Sequence, residues 1–146
     1  MTPDPVAPAR LAALIAPHLN TAAASLRLIP IRTGKHNSSY WVEGGATRFV
    51  LRLAPPDAIG LLFYEVRMMR QEPGLHALIR AHTGLPVADV VAHDFSRQEI
   101  DRDWLVMTAL PGVPLSDAPH LAPEQRTRTL QQVGEGLRVL HTLTAS

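Results

Sequence analysis

TRFVLRLA, running from Thr47 to Ala54, is composed like a β-strand, with β-branched, aromatic and leucine side chains. Side chains alternate across a strand, so Phe49, Leu51 and Leu53 share one face while Val50 and Arg52 share the other. An arginine in the middle of an apolar strand calls for an acceptor, and a carboxylate or a ligand phosphate would supply one in bidentate form. A solvated face carrying both Arg48 and Arg52 accounts for the pattern equally well.

Working outward, two further strand-like runs precede this one, LRLIPIR (Leu26 to Arg32) and SYWVE (Ser39 to Glu43), with turns at Gly34 and at Gly44-Gly45. Three antiparallel strands in a meander follow. In the first turn, TGKHNSSY, Gly34 permits a sharp bend, the small polar residues after it can approach a phosphate, and Lys35 is the only lysine in the chain. It is not a Walker A loop, because no glycine lies five residues before Gly34 and His36 stands where Ser or Thr belongs. An ordinary hairpin turn is the simpler reading of these residues alone.

On the other side, PPDAIG ends the strand pattern, and helical spacing runs from Leu61 to Ala81 with Val66, Met69, Leu75, Leu78 and Ile79 as candidate buried positions. Pro73 predicts a kink or break just before Pro73-Gly74. Glu65 and Glu72 lie seven residues apart, nearly on one helix face, and either could reach back to Arg52. Next, VADVVAHDF and DWLVMTAL read as a hairpin around the charged turn Arg97 to Arg102. Pro111-Gly112-Val113-Pro114 reads as a linker, Ala122 to Leu143 as a final helix opened by Pro123-Glu124, and Ala7 to Leu19 as a short outer helix. The fold class expected is α+β: a five-stranded antiparallel sheet with a packed helix, flanked by N-terminal and C-terminal helices.

At 146 residues the chain is about one domain's worth, and 46% hydrophobic with 18% charged residues is enough apolar surface to exclude whole-chain disorder. A net charge of +1 and 5% aromatics argue against nucleic acid as a partner. The lack of cysteine excludes disulfides and thiolate chemistry and fits a reducing compartment. No apolar run approaches the ~20 residues of a membrane span, and Asp4 with several prolines is unlike a signal peptide, so no membrane partner and a cytoplasmic, unprocessed chain are expected. His76 and His82 are six apart rather than four, and neither H-E-x-x-H nor G-x-S-x-G occurs, so no metal site or triad is expected. His93-Asp94 reads as a strand end.

Six pieces in order carry a resemblance: Gly34-x-x-Asn37-x-x-Tyr40-x-Val42, then Phe49 to Arg52, YEVRMMRQE, LPVADVVAHD, IDRDWLVMTALPGVPL and GEGLRVLHTL. Over roughly Leu26 to Leu143 the chain resembles the amino-terminal part of the aminoglycoside phosphotransferase and choline kinase-like family. The resemblance implies a protein-kinase-like small lobe with an αC-type helix, residues 26–110, after an N-terminal helical extension, residues 1–25. A hinge and linker, 111–121, and the first helix of a large lobe, 122–146, would follow. ATP would bind between the lobes and pass its γ-phosphoryl to a hydroxyl of a small molecule.

Carried over by position, Gly34, Lys35, His36 and Asn37 match the loop that covers the nucleotide, and Val42 and Val50 the apolar roof over adenine. Arg52 matches the phosphate-holding base of the third strand, Glu72 rather than Glu65 the helix glutamate that orients it, and Met107, Thr108, Ala109 and Leu110 the hinge. Pro73 directly after Glu72 departs from the family pattern, as does Thr108 where glutamate is commoner. The H-x-D-x-x-x-x-N loop and the metal-binding Asp that the family uses do not occur in this chain, so Mg²⁺ is implied but its ligands are not here. The chain alone is expected to be inactive, a fragment or truncation of a kinase. Its last helix bears Leu130, Val133, Leu137 and Leu140 on one stripe, which is expected to fold back, self-associate or fray without the large lobe. A non-catalytic nucleotide-binding or protein-interaction module, or a plain α+β interaction domain, are the alternatives.

Overall fold

A computed structural model of the chain describes residues 6–32, 37–56, 67–118 and 120–143. Helix α1, Pro8–Ile15, continues as a 3₁₀ turn to Leu19, and strands β1 (Arg27–Ile31), β2 (Ser38–Glu43) and β3 (Phe49–Leu53) follow. A 3₁₀ turn, Met68–Gln71, leads into α2 (Glu72–His82), then β4 (Val90–Asp94), β5 (Trp104–Thr108) and α3 (Pro123–Leu140). The five strands form one antiparallel sheet in the order β1-β2-β3-β5-β4. The meander and the hairpin expected from the sequence are both present, and β5 joins them by pairing with β3.

Each face of the sheet carries its own core. On one face Val42, Leu51, Leu53, Trp104 and Val106 close against Leu11, Leu14 and Ile15 of α1 and Ile100. On the other, Leu105 packs with Ala54 and Met69, flanked by Val90, Phe95 and Met107. Strand alternation produces the split, because Trp104 and Val106 point one way and Leu105 and Met107 the other. The outer helix expected at the N-terminus is present, and its apolar stripe packs on the sheet: Leu11 and Ile15 are fully buried, each worth ~1.5–3 kcal/mol of burial, and α1 closes one of the two cores.

The helical segment read as Leu61 to Ala81 is shorter where it is described, and residues 57–66 lie outside the described residues. Arg67 adopts a left-handed conformation, φ 61°, the 3₁₀ turn intervenes, and α2 begins at Glu72. The break falls just before Pro73, which then occupies the first turn of α2, where its missing N–H has no intrahelical partner to lose. Of the expected buried positions Met69 is buried, Leu78 and Ile79 are half-buried, and Leu75 is exposed. In α3, the Gln125 side chain accepts the Ala122 N–H at the helix start. Its stripe of Leu130, Val133 and Leu137 stays about half exposed, at 51%, 50% and 50%. No helix among the described residues is long and apolar enough to cross a membrane.

Candidate functional site

An open cleft of about 1000 Å³ runs along the sheet face that carries Val50. Trp41, Val50, Met107 and Ala88 wall it on the sheet side, and the segment from Thr108 to Pro114 borders it. The register explains the wall: Trp41 lies opposite Val50 in the β2–β3 ladder, and Val50 lies opposite Met107 in the β3–β5 ladder. Directly opposed residues share a face, so the three side chains form one apolar strip.

The segment from Thr108 to Leu110 is held from both sides. Thr108 N–H donates to the Asp89 carbonyl at 2.9 Å, Asp89 N–H donates to Thr108 Oγ1 at 2.9 Å, and Ala109 N–H donates to the Arg48 carbonyl at 2.9 Å. Among the described residues Leu110 N–H has no acceptor, which leaves it as the amide this segment can offer to a planar ring edge. Arg48 also lays its guanidinium over the Trp41 ring, 4.1 Å from the centroid, and pairs with Glu43 at 2.9 Å. Glu43 is bonded by Arg27 at 2.7 Å as well, and the Arg27 bond, opposed by partial burial and helped by Arg48, holds its carboxyl below the usual carboxylate range.

Farther along the same face, about 7 Å from Val50 by strand geometry, Arg52 forms an ion pair with Glu72 of α2. The side chains are 26% and 21% exposed, enough shelter for the pair to be held and enough access for a third, anionic group to reach the guanidinium. Helix α2 is tied to the β4 side of the sheet by His76 Nδ1 against the Ala88 carbonyl, 2.8 Å, and by an Arg80–Asp89 ion pair.

Asp103, the residue before β5, has a fully buried side chain. Arg70 Nε and Nη2 donate to its two carboxylate oxygens at 2.7 and 2.9 Å, and Arg97 Nε donates to Oδ1 at 2.8 Å. Burial raises this carboxyl's pKa, but the bonds and charges of Arg70 and Arg97 outweigh it and hold the group below its ordinary value. Neighbouring Arg102 donates from Nε to the Ala54 carbonyl at 2.7 Å, and burial lowers its pKa, with Tyr40 acting in the opposite sense.

The positions expected from the sequence fall out unevenly. Val50, Met107, Thr108, Ala109 and Leu110 line the cleft, and Arg52 and Glu72 meet each other beside it. Asn37 lies just before β2, and Gly34, Lys35, His36 and Glu65 lie outside the described residues. Val42 is corrected: it is fully buried in the core on the opposite face, and its neighbour Trp41 stands on the roof beside Val50. The signal was available in the alternation that already put Val50 and Leu51 on opposite faces. The Arg70–Asp103–Arg97 cluster gave no such signal, since its members come from three separate segments. No group of three or more His, Cys, Asp or Glu able to hold a metal ion occurs among the described residues.

A family model described as the phosphotransferase enzyme family matches residues 27–146. No curated protein matches the chain. Among solved structures, the crystal structure of a candidate aminoglycoside phosphotransferase from Ralstonia eutropha JMP134 is similar, with a TM-score of 0.64 and 20% identity. The match covers 92% of this chain and 37% of that one, and at this identity the likeness concerns the fold.

Proposed function

The chain belongs to the phosphotransferase enzyme family, and on that premise we propose that it forms the nucleotide-binding small lobe of an ATP-dependent kinase whose acceptor is a hydroxyl on a small molecule. In this reading residues 26–110 are the lobe, 111–121 the linker and 122–146 the first helix of a large lobe, in a reducing, cytoplasmic setting.

The observation that carries the reading is the Arg52–Glu72 ion pair on the same sheet face as the apolar strip of Trp41, Val50 and Met107. The strip is suited to a base, and Leu110 N–H to the ring edge. The guanidinium, steadied by Glu72, is suited to non-bridging phosphate oxygens, which it can take in a fork geometry. Transfer of a γ-phosphoryl is mostly positioning and charge neutralisation, and this lobe supplies positioning at the phosphate tail. Among the described residues no group of three or more His, Cys, Asp or Glu could hold a metal ion, and in this reading the chain alone is expected to turn nothing over.

Calorimetric titration of the chain with ATP tests the reading. Binding is expected, weakened at least tenfold by Arg52→Ala, with no phosphotransfer to aminoglycosides, choline or homoserine. An ATP affinity indifferent to Arg52→Ala, or turnover by the chain, would overturn it.

A further inference from the structure

The Arg52–Glu72 pair joins the end of β3 to the first residue of α2, two segments between which no backbone ladder runs among the described residues. Both segments are fastened to one residue. Ala54, two residues after Arg52, donates its N–H to the Asp103 carbonyl at 2.9 Å, and its own carbonyl receives Arg102 Nε at 2.7 Å. Arg70, two residues before Glu72, is gripped through two bonds by the Asp103 carboxylate and adds a third to the Phe95 carbonyl at 3.0 Å. Met69, the residue before Arg70, is buried in one cluster with Ala54 and Leu105. We propose that Asp103 is a positioning residue for the Arg52–Glu72 pair, its backbone holding the end of β3 and its side chain holding the turn that starts α2.

A surface ion pair that merely adds stability would not need this construction. Asp103 is fully buried, takes a two-pronged bond from one arginine and a further bond from Arg97, and sits where β5 begins, at the register position opposite the end of β3. The two-residue spacings leave little slack: a rotation of the Met68–Gln71 turn is transmitted to Glu72 at the helix start, and Arg52 would lose its partner with its strand unmoved. Releasing the turn should therefore act on the phosphate end of the cleft and spare the base end. This deepens the nucleotide-binding reading and rests on it for the role of Arg52.

Two measurements test the proposal. In calorimetric titrations, Asp103→Asn is expected to weaken ATP at least tenfold while adenosine, which has no phosphate for Arg52, changes less than twofold. Equal losses for both ligands, or none for ATP, would overturn it. Without any nucleotide, a double-mutant cycle of Asp103→Asn and Glu72→Gln on the denaturant unfolding equilibrium is expected to deviate threefold or more from the product of the single effects. A multiplicative result would sink the proposal even if ATP bound. If the wild-type chain binds no ATP, the role of Arg52 fails while the cycle still decides the role of Asp103. Arg70→Lys, which keeps the charge and loses the fork, carries both measurements should Asp103→Asn not fold.

Discussion

Trp41 and Val50 face each other across the β2–β3 ladder on the cleft side of the sheet, while Val42, one residue along, is sealed in the core behind it. The indole carries the Arg48 guanidinium on its ring, and Arg48 in turn accepts the amide of Ala109 through its carbonyl. The apolar strip and the segment that borders the cleft are thus linked through one arginine.

The two neighbours should answer substitution in opposite ways. Trp41→Ala removes the broad surface beside Val50 and is expected to weaken nucleotide binding by about tenfold, in line with ~1–3 kcal/mol per stacked base, with a small change in unfolding midpoint. Val42→Ala deletes two buried methyl groups and is expected to cost about 2 kcal/mol of stability with nucleotide affinity kept. Calorimetric titration and urea unfolding on both variants check the pair of outcomes.

Acid should loosen the α2 side of the molecule through Asp103. Its carboxyl has a folded pKa below the unfolded one, so it contributes stability that is complete above the ordinary carboxylate range and fades as pH falls through that range toward the folded value. Asp103→Asn is expected to cost ~2–3 kcal/mol at neutral pH, less than a wholly buried pair because Arg70 is partly exposed. It should also flatten the acid limb of the stability profile. Glu43 is shifted in the same direction and keeps some acid dependence in the variant. Urea midpoints measured between about pH 6 and 3 in both proteins test this, and parallel profiles would count against it.

The β2–β3 turn depends on Gly44, at φ 143°, where a Cβ would run into the Ser25 carbonyl. Both the conformation and the collision with backbone oppose a side chain, so Gly44→Ala is expected to destabilise by more than ~2 kcal/mol. Gly45 next to it has open space for a Cβ, and Gly45→Ala should change stability by less than ~1 kcal/mol. Thermal unfolding of the two variants side by side gives the comparison.

How far the fold was legible depended on how local each signal was. All five strands follow from short runs of β-formers and their turns, and the Pro73 break follows from the chemistry of one residue. The Arg52–Glu72 pair was half legible: an arginine set among Val50, Leu51 and Leu53 calls for an acceptor, but the pattern left Glu65 and Glu72 both open, and only the family resemblance favoured Glu72. Val42 was misplaced because counting from Gly34 ignores the register that the Gly44 turn imposes, and a slip of one residue exchanges the faces of a strand. The Asp103 cluster went unread, since Arg97 fell in the charged turn, Asp103 at the start of the strand run DWLVMTAL and Arg70 in the helical segment, and nothing in sequence announces them as partners. Helix α1 was read as outer because its apolar stripe says that it packs, not on what.

Helix α1 leaves one practical mark on this molecule. The family match begins at residue 27, after the helix, whereas the core that closes the back of the sheet includes Leu11, Leu14 and Ile15. The recognisable unit is therefore shorter than the cooperative one. An expression boundary drawn at the start of the recognised region would uncover Val42, Leu51 and Trp104 and present them to water, and the resulting loss of solubility would be mistaken for a defect in the sheet itself.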